Sequence, residues 1–398
     1  MQLKIKEKTA LLDQMMFGNV QIVGFDDLKK LEKSGVVEQT TAKVKYITAT
    51  GQEFTRLLIE RDGVIDRMIA GSKLIKGKRI DYCNLSVSVG NKETGNLMCL
   101  TRDEYVGKLQ KIEEHLKNQY GIHVDLSDIT MKEIEINRTF KLNEDFEKYH
   151  RVINLMMCNL PKNLKQQSEY KKVNDGIATH ESYYASSKTG KAKNKVTRYL
   201  ELKIYDKTKA VEKIILLTDS FMRVEFRLVG AEKIKRSLKV SKFVDLTDAI
   251  INDYFAKQTE NIIVQPFEKW KIQRDEEVVE LMKEWRSKDM NHWQTSVLRS
   301  LMNREITEKK AVLLDIKELL PLVNKVITKA NRRYDVKHNF VRQAEKIETV
   351  FCNDDHLKME EIIEKLTATN TDSSGISTDS GPDYTGITSG VYGIGKSA

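Results

Sequence analysis

Three strand-like runs at residues 177–188, 198–209 and 221–228 constrain the fold of this chain more than any other feature. Each run alternates apolar residues with polar or charged ones. Because successive side chains of a strand point to opposite faces, each run can pack one face on a core and present charge on the other. The charged face of the last run consists of Arg223, Glu225 and Arg227. An ordinary exposed strand shows such a pattern, but so does a metal and phosphate surface built on a sheet.

The order of the predicted elements indicates the fold class. Between residues 80 and 260, strands occur in runs between helices, which predicts an α+β fold with helices packed on one face of a central antiparallel sheet. After about residue 244 the chain is helical, and from Thr367 onward Thr, Ser, Gly and Asp dominate. That composition predicts a disordered tail. The predicted division is a small α/β N-terminal lobe at 1–78, a sheet domain at 79–265, a helical C-terminal domain at 266–366 and the tail at 367–398.

Charge and hydropathy indicate which kinds of molecule the protein binds. The net charge is +9 and the pI about 9.0, and a basic excess attracts nucleic acid or an anionic membrane surface. No apolar run approaches the length of a membrane span, and the charge-alternating N-terminus contains no signal-peptide core. The four cysteines are widely spaced and form no Cys-x-x-Cys pair. We therefore expect a cytoplasmic protein that binds nucleic acid and no membrane.

A pair of acidic residues is the first candidate for chemistry. Glu133 and Glu135 lie in a predicted strand at 129–140, where both carboxylates share one face and Ile134 turns into the core. Adjacent carboxylates repel each other unless a cation lies between them, and Mg²⁺ or Mn²⁺ favours such oxygen ligands. A solvated face balanced by Lys132 and Arg138 is the simpler interpretation of the local sequence.

The link between the first two runs is strongly basic. It contains five Lys and Arg residues among eleven and no acid: Lys188, Lys191, Lys193, Lys195 and Arg198. A basic loop beside a sheet suits contact with the phosphate backbone of DNA. A solvated hairpin loop explains the same composition equally well.

Two further stretches place tyrosines beside charged residues. Tyr205 and Lys207 flank Asp206 at the end of a predicted strand. A lysine there can lower the pKa of the phenol or hold a phosphate, while the aspartate is an ordinary helix cap. Tyr254 shares a predicted helical face with Leu246. A tyrosine in the core and a tyrosine nucleophile would both point from this helix towards the sheet, so the pattern does not distinguish the two.

The order of these motifs resembles a known family. The motifs are Ser-Tyr-Tyr-Ala-Ser-Ser at 182–187, Leu-Lys-Ile-Tyr-Asp-Lys-Thr at 202–208 with Glu212, and Arg-Val-Glu-Phe-Arg-Leu at 223–228. They resemble rolling-circle replication initiators of filamentous phage (the gene II protein type) and small Gram-positive plasmids. Those proteins carry a Tyr-x-Gly-Ser strand, an Ile-Tyr-Asp-Lys strand with a following Glu, and an Arg-x-Glu strand. The segment 133–138 resembles their Arg-Ile-Asp strand, and the similarity spans about residues 79 to 260.

The resemblance implies an HUH-endonuclease-like (relaxase-like) fold at 79–265. Such enzymes use a divalent metal, here Mg²⁺ or Mn²⁺, and a tyrosine that attacks a DNA phosphodiester, forming a 5′-phosphotyrosine and a 3′-hydroxyl that primes synthesis. On this chain the implied metal ligands are Glu135 and Glu225, with Glu133 beside them. The implied phosphate contacts are Lys207, Arg223 and Arg227, and Lys207 is also a candidate for a catalytic role.

Departures from the pattern leave the nucleophile open. Ala185 stands where the family often has Gly, and no tyrosine follows the Arg-x-Glu strand closely, as one does in the plasmid initiators. The nucleophile is then Tyr254, Tyr184 or Tyr205, or the protein does not cut DNA.

The expected function is origin binding and single-strand nicking that starts rolling-circle replication of a plasmid, phage or mobile element. The alternative is a non-catalytic DNA-binding replication protein with the same fold. The expected partner is origin DNA, single-stranded or supercoiled, and a host helicase and a homodimer are compatible additions.

Overall fold

A ten-stranded antiparallel sheet is the centre of the fold in the computed structural model. From one edge to the other, its strands are β11 (Leu164–Asn174), β12 (Ile177–Ala192), β13 (Lys195–Asp206), β14 (Phe221–Val229), β10 (Thr130–Lys141), β1 (Leu11–Gly18), β8 (Lys78–Val87), β7 (Arg67–Ile75), β6 (Arg56–Glu60) and β3 (Val37–Glu38). Two further two-stranded sheets pair β2 (Gln21–Phe25) with β9 (Ile122–Asp125) and β4 (Tyr46–Ile47) with β5 (Glu53–Phe54).

The structure describes residues 7–39, 44–89, 99–174, 177–192, 195–211, 217–288, 291–306, 314–346 and 355–368. For residues 165–174, 177–181, 188–192, 195–198 and 305–306 only the backbone is described. Apart from residues 367 and 368, the predicted tail lies outside the described residues, as do Lys193 and Glu212 of the motifs.

Eleven helices lie in the described part of the chain. They are α1 (Leu28–Lys33), α2 (Arg102–His115), α3 (His150–Cys158), α4 (Lys207–Val211), α5 (Ala231–Leu238), α6 (Asp248–Thr259), α7 (Gln265–Lys288), α8 (Trp293–Ile306), α9 (Ile316–Val326), α10 (Ala330–Lys346) and α11 (Asp355–Thr367). Turns of π-helix at Leu116–Tyr120 and Glu260–Val264 follow α2 and α6, and a 3₁₀ turn at Phe146–Tyr149 precedes α3. None of these described helices combines the length and apolarity that a membrane span needs.

One face of the sheet is apolar and carries the helices. Ile136, Phe226 and Leu202 lie side by side on β10, β14 and β13, and all three are fully buried. Helices α5 and α6 contact β10 on this face, and the Phe255 ring of α6 packs edge-on against Phe226 with centroids 5.4 Å apart. Burying side chains of this size contributes about 1.5–3 kcal/mol each. The predicted α+β class, with an antiparallel sheet covered by helices on one face, is confirmed.

The first 90 residues supply half of the sheet. Strand β1 lies in its middle, between β10 and β8, and β8, β7, β6 and β3 extend it to the far edge. Buried residues of this part, such as Phe17 and Leu85, belong to the same core as Ile134 and Phe226. The division at residue 78 stays a prediction, and the contacts show one continuous core on both sides of it.

Helices α7 to α10 enclose a second core, which agrees with the predicted helical C-terminal region. At its centre Phe340 of α10 packs edge-on against Trp293 of α8, with centroids 5.3 Å apart. The last helix, α11, instead returns to the first core, where Met359, Ile362 and Leu366 are buried. Asp355 at its start pairs with Arg151 of α3 at 2.7 Å, so charge as well as packing attaches this helix beside the sheet.

Candidate active site

The face of the sheet opposite the helices collects the polar side chains of four neighbouring strands. The strand register aligns them in rows, because residues that pair across strands point to the same side. We call this surface the polar face; its central rows are Glu135–Arg227–Glu201–Ser186, Asn137–Glu225–Lys203–Tyr184 and Thr139–Arg223–Tyr205–Ser182. The alternation read from the sequence of β14 therefore places Arg223, Glu225 and Arg227 together on one surface.

An irregularity in β1 adds a carboxylate from the N-terminal part of the chain. Leu12 pairs with Ile136 and Met15 with Ile134, so Asp13 and Gln14 together oppose the single residue Glu135. This β-bulge bends the strand and re-aims its side chains. Carboxylate oxygens of Asp13, Glu135 and Glu225 all lie within 4.8 Å of one another. These three residues form the carboxylate cluster.

Burial makes negative charge unfavourable in the carboxylate cluster. Burial raises the pKa of Glu135 to about 9, and repulsion from Glu225 and Asp13 adds to the effect. Burial likewise raises the pKa of Glu225. Part of the charge is offset by Arg223, which is fully buried and donates from Nη1 to Asp13 Oδ2 at 3.1 Å and from Nε to Thr139 Oγ1 at 2.7 Å. Carboxyl groups whose charge is unfavourable in this way are stabilised by a bound cation.

The predicted metal ligand Glu133 lies outside the cluster. Its carboxylate accepts hydrogen bonds from Nε of Arg227 at 2.8 Å and from Nη2 of the same guanidinium. Arg227 also contacts Glu201 at 3.1 Å and Glu135 at 3.4 Å. Arg227 therefore balances three carboxylates at the rim of the cluster, where a third of its side chain is exposed.

Two of the three candidate tyrosines lie on the polar face. Tyr205 is buried, receives a hydrogen bond of 3.5 Å from Nη1 of Arg223, and has its pKa raised mainly by burial. Tyr184 is half-buried and pairs across the strands with Lys203. The ammonium group of Lys203 lies 4.3 Å from the ring centroid of Tyr205 and 5.7 Å from that of Tyr184. A cation at these distances interacts favourably with both rings.

The third candidate, Tyr254, lies on the helical side of the sheet. It belongs to α6, whose neighbouring Phe255 packs on the apolar face. Its hydroxyl is buried with no hydrogen-bond partner among the described residues, and burial raises its pKa far above the ordinary value. The sheet itself separates Tyr254 from the carboxylate cluster.

Lys207 reaches the same region from the first turn of α4. It is buried, and burial followed by repulsion from Arg223 lowers its pKa to about 7. Its ammonium nitrogen lies 5.8 Å from the ring centroid of Tyr205. The preceding Asp206 accepts a hydrogen bond from the backbone N–H of Lys209 at 3.1 Å, which is ordinary helix capping. The motif thus combines a structural cap with a buried amine that changes charge near neutral pH.

The basic link between β12 and β13 is described only by part of its backbone. The backbone places residues 188 and 198 opposite each other in the β12–β13 hairpin. The side chains of Lys188, Lys191, Lys195 and Arg198 are outside the described set, and so is the whole of Lys193. Their contact with DNA stays a prediction.

Sequence reasoning missed Asp13, Lys203 and Glu201. Lys203 and Glu201 follow from the alternation of β13, because they flank buried Leu202. For Asp13 the only local signal is an acidic residue inside the apolar run Leu-Leu-Asp-Gln-Met-Met-Phe. An acid in a strand of that composition is costly to bury unless it has a partner.

Comparison with known proteins adds little to this description. No family model matches the chain, and no curated protein sequence matches it. A solved structure of the rolling circle replication initiator protein from Geobacillus stearothermophilus is similar over 64% of this chain and 85% of that one, with 11% sequence identity and a TM-score of 0.29. The geometry of the polar face and the motifs on its strands are therefore the features that bear on function.

Proposed function

We propose that this protein is a replication initiator that binds origin DNA and cuts one strand by attack of a tyrosine, with a divalent metal at the carboxylate cluster. The observation that carries the proposal is the cluster of Asp13, Glu135 and Glu225 on the same sheet face as two tyrosines and several cations. The motifs that resemble those of replication initiators lie on β12, β13 and β14, and these strands build the polar face. An HUH-type nuclease needs these groups together.

The chemistry of the cluster fits Mg²⁺ or Mn²⁺. Its donors are all carboxylate oxygens, the ligands that hard divalent cations prefer. The raised pKa of Glu135, caused first by burial and then by neighbouring carboxylates, indicates a site that lacks positive charge. Asp13, Glu135 and Glu225 would hold the ion. When bound, it would polarise a phosphate oxygen of the DNA and stabilise the charge that develops there.

The cations around the cluster are suited to bind the DNA phosphates. Arg227 is one-third exposed and Lys203 is half-buried, so both can reach a strand laid across the polar face. Arg223 is fully buried and acts on Asp13 instead. We assign Arg227 and Lys203 to phosphate contact and Arg223 to orientation of a metal ligand.

Tyr184 is the best placed nucleophile among the three candidates. A nucleophile must reach a phosphodiester, and Tyr205 and Tyr254 are almost fully buried. Tyr184 is half-buried and lies in the row Tyr184–Lys203–Glu225. Two strand spacings separate it from Glu225, about 10 Å between backbones. A phosphate can lie between the phenol and the cluster across that distance.

The reaction is a transesterification. The phenol oxygen of Tyr184 gives up its proton and bonds to phosphorus, while the bond from phosphorus to the 3′ oxygen breaks. That oxygen takes up a proton and leaves as a 3′-hydroxyl, and the 5′ phosphate stays on the tyrosine. No net oxidation or loss of phosphate occurs, so religation remains possible.

A non-catalytic DNA-binding replication protein is the second candidate. It is favoured by one observation: the segment after the Arg-x-Glu strand, from Gly230 to Leu238, contains no tyrosine. In that case the polar face binds DNA phosphates in a salt-dependent manner without cleavage.

Covalent capture separates the two functions. The full chain is incubated with Mn²⁺ and single-stranded or supercoiled DNA carrying the region beside its own gene, then analysed on a denaturing gel. A 5′-linked adduct is expected, and mass spectrometry of its peptides should identify Tyr184. Tyr184→Phe should abolish the adduct, and Tyr254→Phe, a matched change on the other side of the sheet, should retain it. Absence of any adduct at all metal concentrations, with salt-dependent binding preserved, would establish the non-catalytic function.

A further inference from the structure

Helices α9 and α10 form a pair joined by a very short turn. α9 ends at Val326 and α10 begins at Ala330, so three residues connect them. Two arginines hold this turn: Arg333 donates from Nε to the carbonyl of Ile327 at 2.6 Å, and Arg286 of α7 donates to the carbonyl of Val326 at 2.9 Å. A turn of three or four residues also joins the two helices of a DNA-binding helix-turn-helix, whose second helix is exposed to the DNA.

One side of α10 packs on the second core and the other is free for contact. Phe340 and Ala344 are buried, and α10 contacts both α8 and α9. The exposed side includes six residues of the types that contact DNA bases and phosphates: Asn331, Arg332, Tyr334, His338, Asn339 and Arg342. Arginine and asparagine read purine edges in the major groove through paired hydrogen bonds.

The exposed aromatic residue on this side is unusual for a soluble helix. Tyr334 is 75% exposed, the most exposed of the large hydrophobic side chains in the described chain. Its ring is parallel to that of His338, with an interplanar angle of 3° and centroids 6.4 Å apart. The two rings form a flat surface one turn long, and tyrosine is enriched at binding interfaces because it combines an apolar ring with a polar hydroxyl.

Helix α10 carries a positive net charge, which favours binding to a polyanion such as DNA. The helix carries five Lys or Arg residues against two acidic ones. Within the described part of the chain, no carboxylate lies within ion-pair distance of Arg332 or Arg342, whereas Lys283 and Lys288 of α7 each pair with a glutamate of their own helix. The arginines lie ten residues, about 15 Å, apart along the helix. That separation allows them to contact phosphates on both sides of a major groove about 12 Å wide.

We propose that α10 docks in the major groove of double-stranded DNA, at a site separate from the polar face of the sheet. Asn331, Tyr334 and His338, in the N-terminal half of the helix, face the base edges, and Arg332 and Arg342 contact phosphates. A convex helix fits the major groove of B-form DNA, whereas the major groove of A-form RNA is too deep and narrow. Single strands are bound in grooves with several stacking aromatics, which α10 does not offer.

This surface extends the proposed function, because a protein that cuts one strand at the sheet must first be held on the duplex beside the cut. The helix would supply that hold, and the polar face would take the strand to be cut. The two sites are built from different parts of the chain and can be tested independently.

Salt-dependent binding of the full chain to a duplex of about 30 base pairs of mixed sequence tests the proposal. We expect Arg332→Ala/Arg342→Ala to reduce the slope of log K against log salt by about 2 and to weaken duplex binding at least about 10-fold near 0.1 M salt. The matched control, Lys283→Ala/Lys288→Ala, removes two exposed charges from α7 and should leave the slope unchanged. Equal effects of the two double variants, or none from the first, would overturn the proposal, as would equal affinity for the single strand.

Cleavage of a single-stranded oligonucleotide distinguishes this proposal from the function of the polar face. The α10 double variant should form the covalent adduct on single-stranded DNA at the wild-type rate, while Tyr184→Phe should bind the duplex with wild-type affinity. Thermal unfolding of the α10 variant should match the wild type, because both arginines are exposed. A loss of duplex binding accompanied by normal unfolding therefore reports the contact itself.

Discussion

Arg138 and Arg223 show how differently the two faces of the sheet use the same side chain. They lie on adjacent strands one register position apart, and both are buried. Arg223 points to the polar face, where it contacts Asp13 and Thr139. Arg138 points to the helical face, where its Nη1 donates to the carbonyls of Leu366 at 2.7 Å and Ala368 at 2.9 Å. One arginine belongs to a charged site and the other closes the end of a helix.

The difference appears in their electrostatics. Burial lowers the pKa of Arg138 to about 10, and no carboxylate among the described residues offsets that effect. Its remaining support is the ring of Phe255, 5.0 Å away, and the carbonyl groups at the C-terminus of α11, which attract cations. On the polar face the charges are instead numerous and incompletely balanced. The helical face therefore contributes mainly stability, whereas the polar face is the surface to which we assign the proposed binding and chemistry.

The largest effect is expected from removing a member of the carboxylate cluster. Glu225→Gln keeps the shape of the side chain and removes the charge, so cleavage in Mn²⁺ should fall at least about 100-fold, an amount typical for loss of a group that acts in the transition state. Glu133→Gln is the matched control on the same face, and it should lose less than about 10-fold. The measurement is the single-turnover rate of adduct formation. Equal losses would restore Glu133 as a metal ligand.

The second effect concerns stability and compares the two arginines directly. Arg223→Met and Arg138→Met should each destabilise the metal-free protein by about 3–5 kcal/mol, because each leaves buried polar partners unsatisfied. Mn²⁺ should recover part of the loss in Arg223→Met, since the ion replaces the missing positive charge beside Asp13. It should recover nothing in Arg138→Met. Chemical denaturation with and without Mn²⁺ measures both, and equal recovery would show that the ion binds elsewhere.

Much of this arrangement was accessible from local sequence. Alternation in 221–228 predicted that Arg223 and Glu225 share a face, and the strand at 129–140 predicted the same for Glu133 and Glu135. Because Arg138 is three residues from Glu135 in the same strand, it points to the opposite face and does not balance the charge of the two glutamates. Side-chain direction along a regular strand depends only on counting residues.

Other features depend on contacts that no local pattern contains. Asp13 reaches the cluster because a bulge in β1 changes which way its side chain points, and the partner Glu135 is far along the chain. Glu133 is hydrogen-bonded to Arg227 and lies outside the carboxylate cluster, whereas Glu135 belongs to it, and the local sequence of the strand does not distinguish the two. The attachment of α11 to Arg138 joins residues 228 positions apart. Such pairings are decided by the packing of the whole molecule rather than by propensity or period.

A third prediction uses the acidity of Glu135 in the metal-free protein. Its pKa is raised from an ordinary value near 4.5 to about 9, so the folded state holds a proton that the unfolded state releases. Stability should therefore decrease as pH rises from about 4.5 to about 9. Glu135→Gln removes this dependence and should raise the melting temperature at pH 8 by at least about 2–4 °C. Thermal unfolding of both proteins across this pH range is the measurement. Destabilisation at pH 8 would mean that the ionised carboxylate is already well compensated.

The smallest effect concerns Lys207 and again separates the two faces. Its pKa is lowered from 10.5 to about 7 by burial and then by Arg223. Between about pH 7 and pH 10.5 the unfolded state binds a proton at this lysine that the folded state does not bind. The free energy of unfolding should therefore decrease as pH falls from about 10.5 to about 7. In NMR titrations of the metal-free protein, the side-chain signals of Lys207 should shift with a midpoint near pH 7. Arg223→Met removes the repulsion and should move the midpoint upward, while Arg138→Met should leave it unchanged, because its charge lies across the sheet. A midpoint near 10 in the wild type would mean that solvent reaches the amine and that Lys207 remains a cation throughout the neutral range.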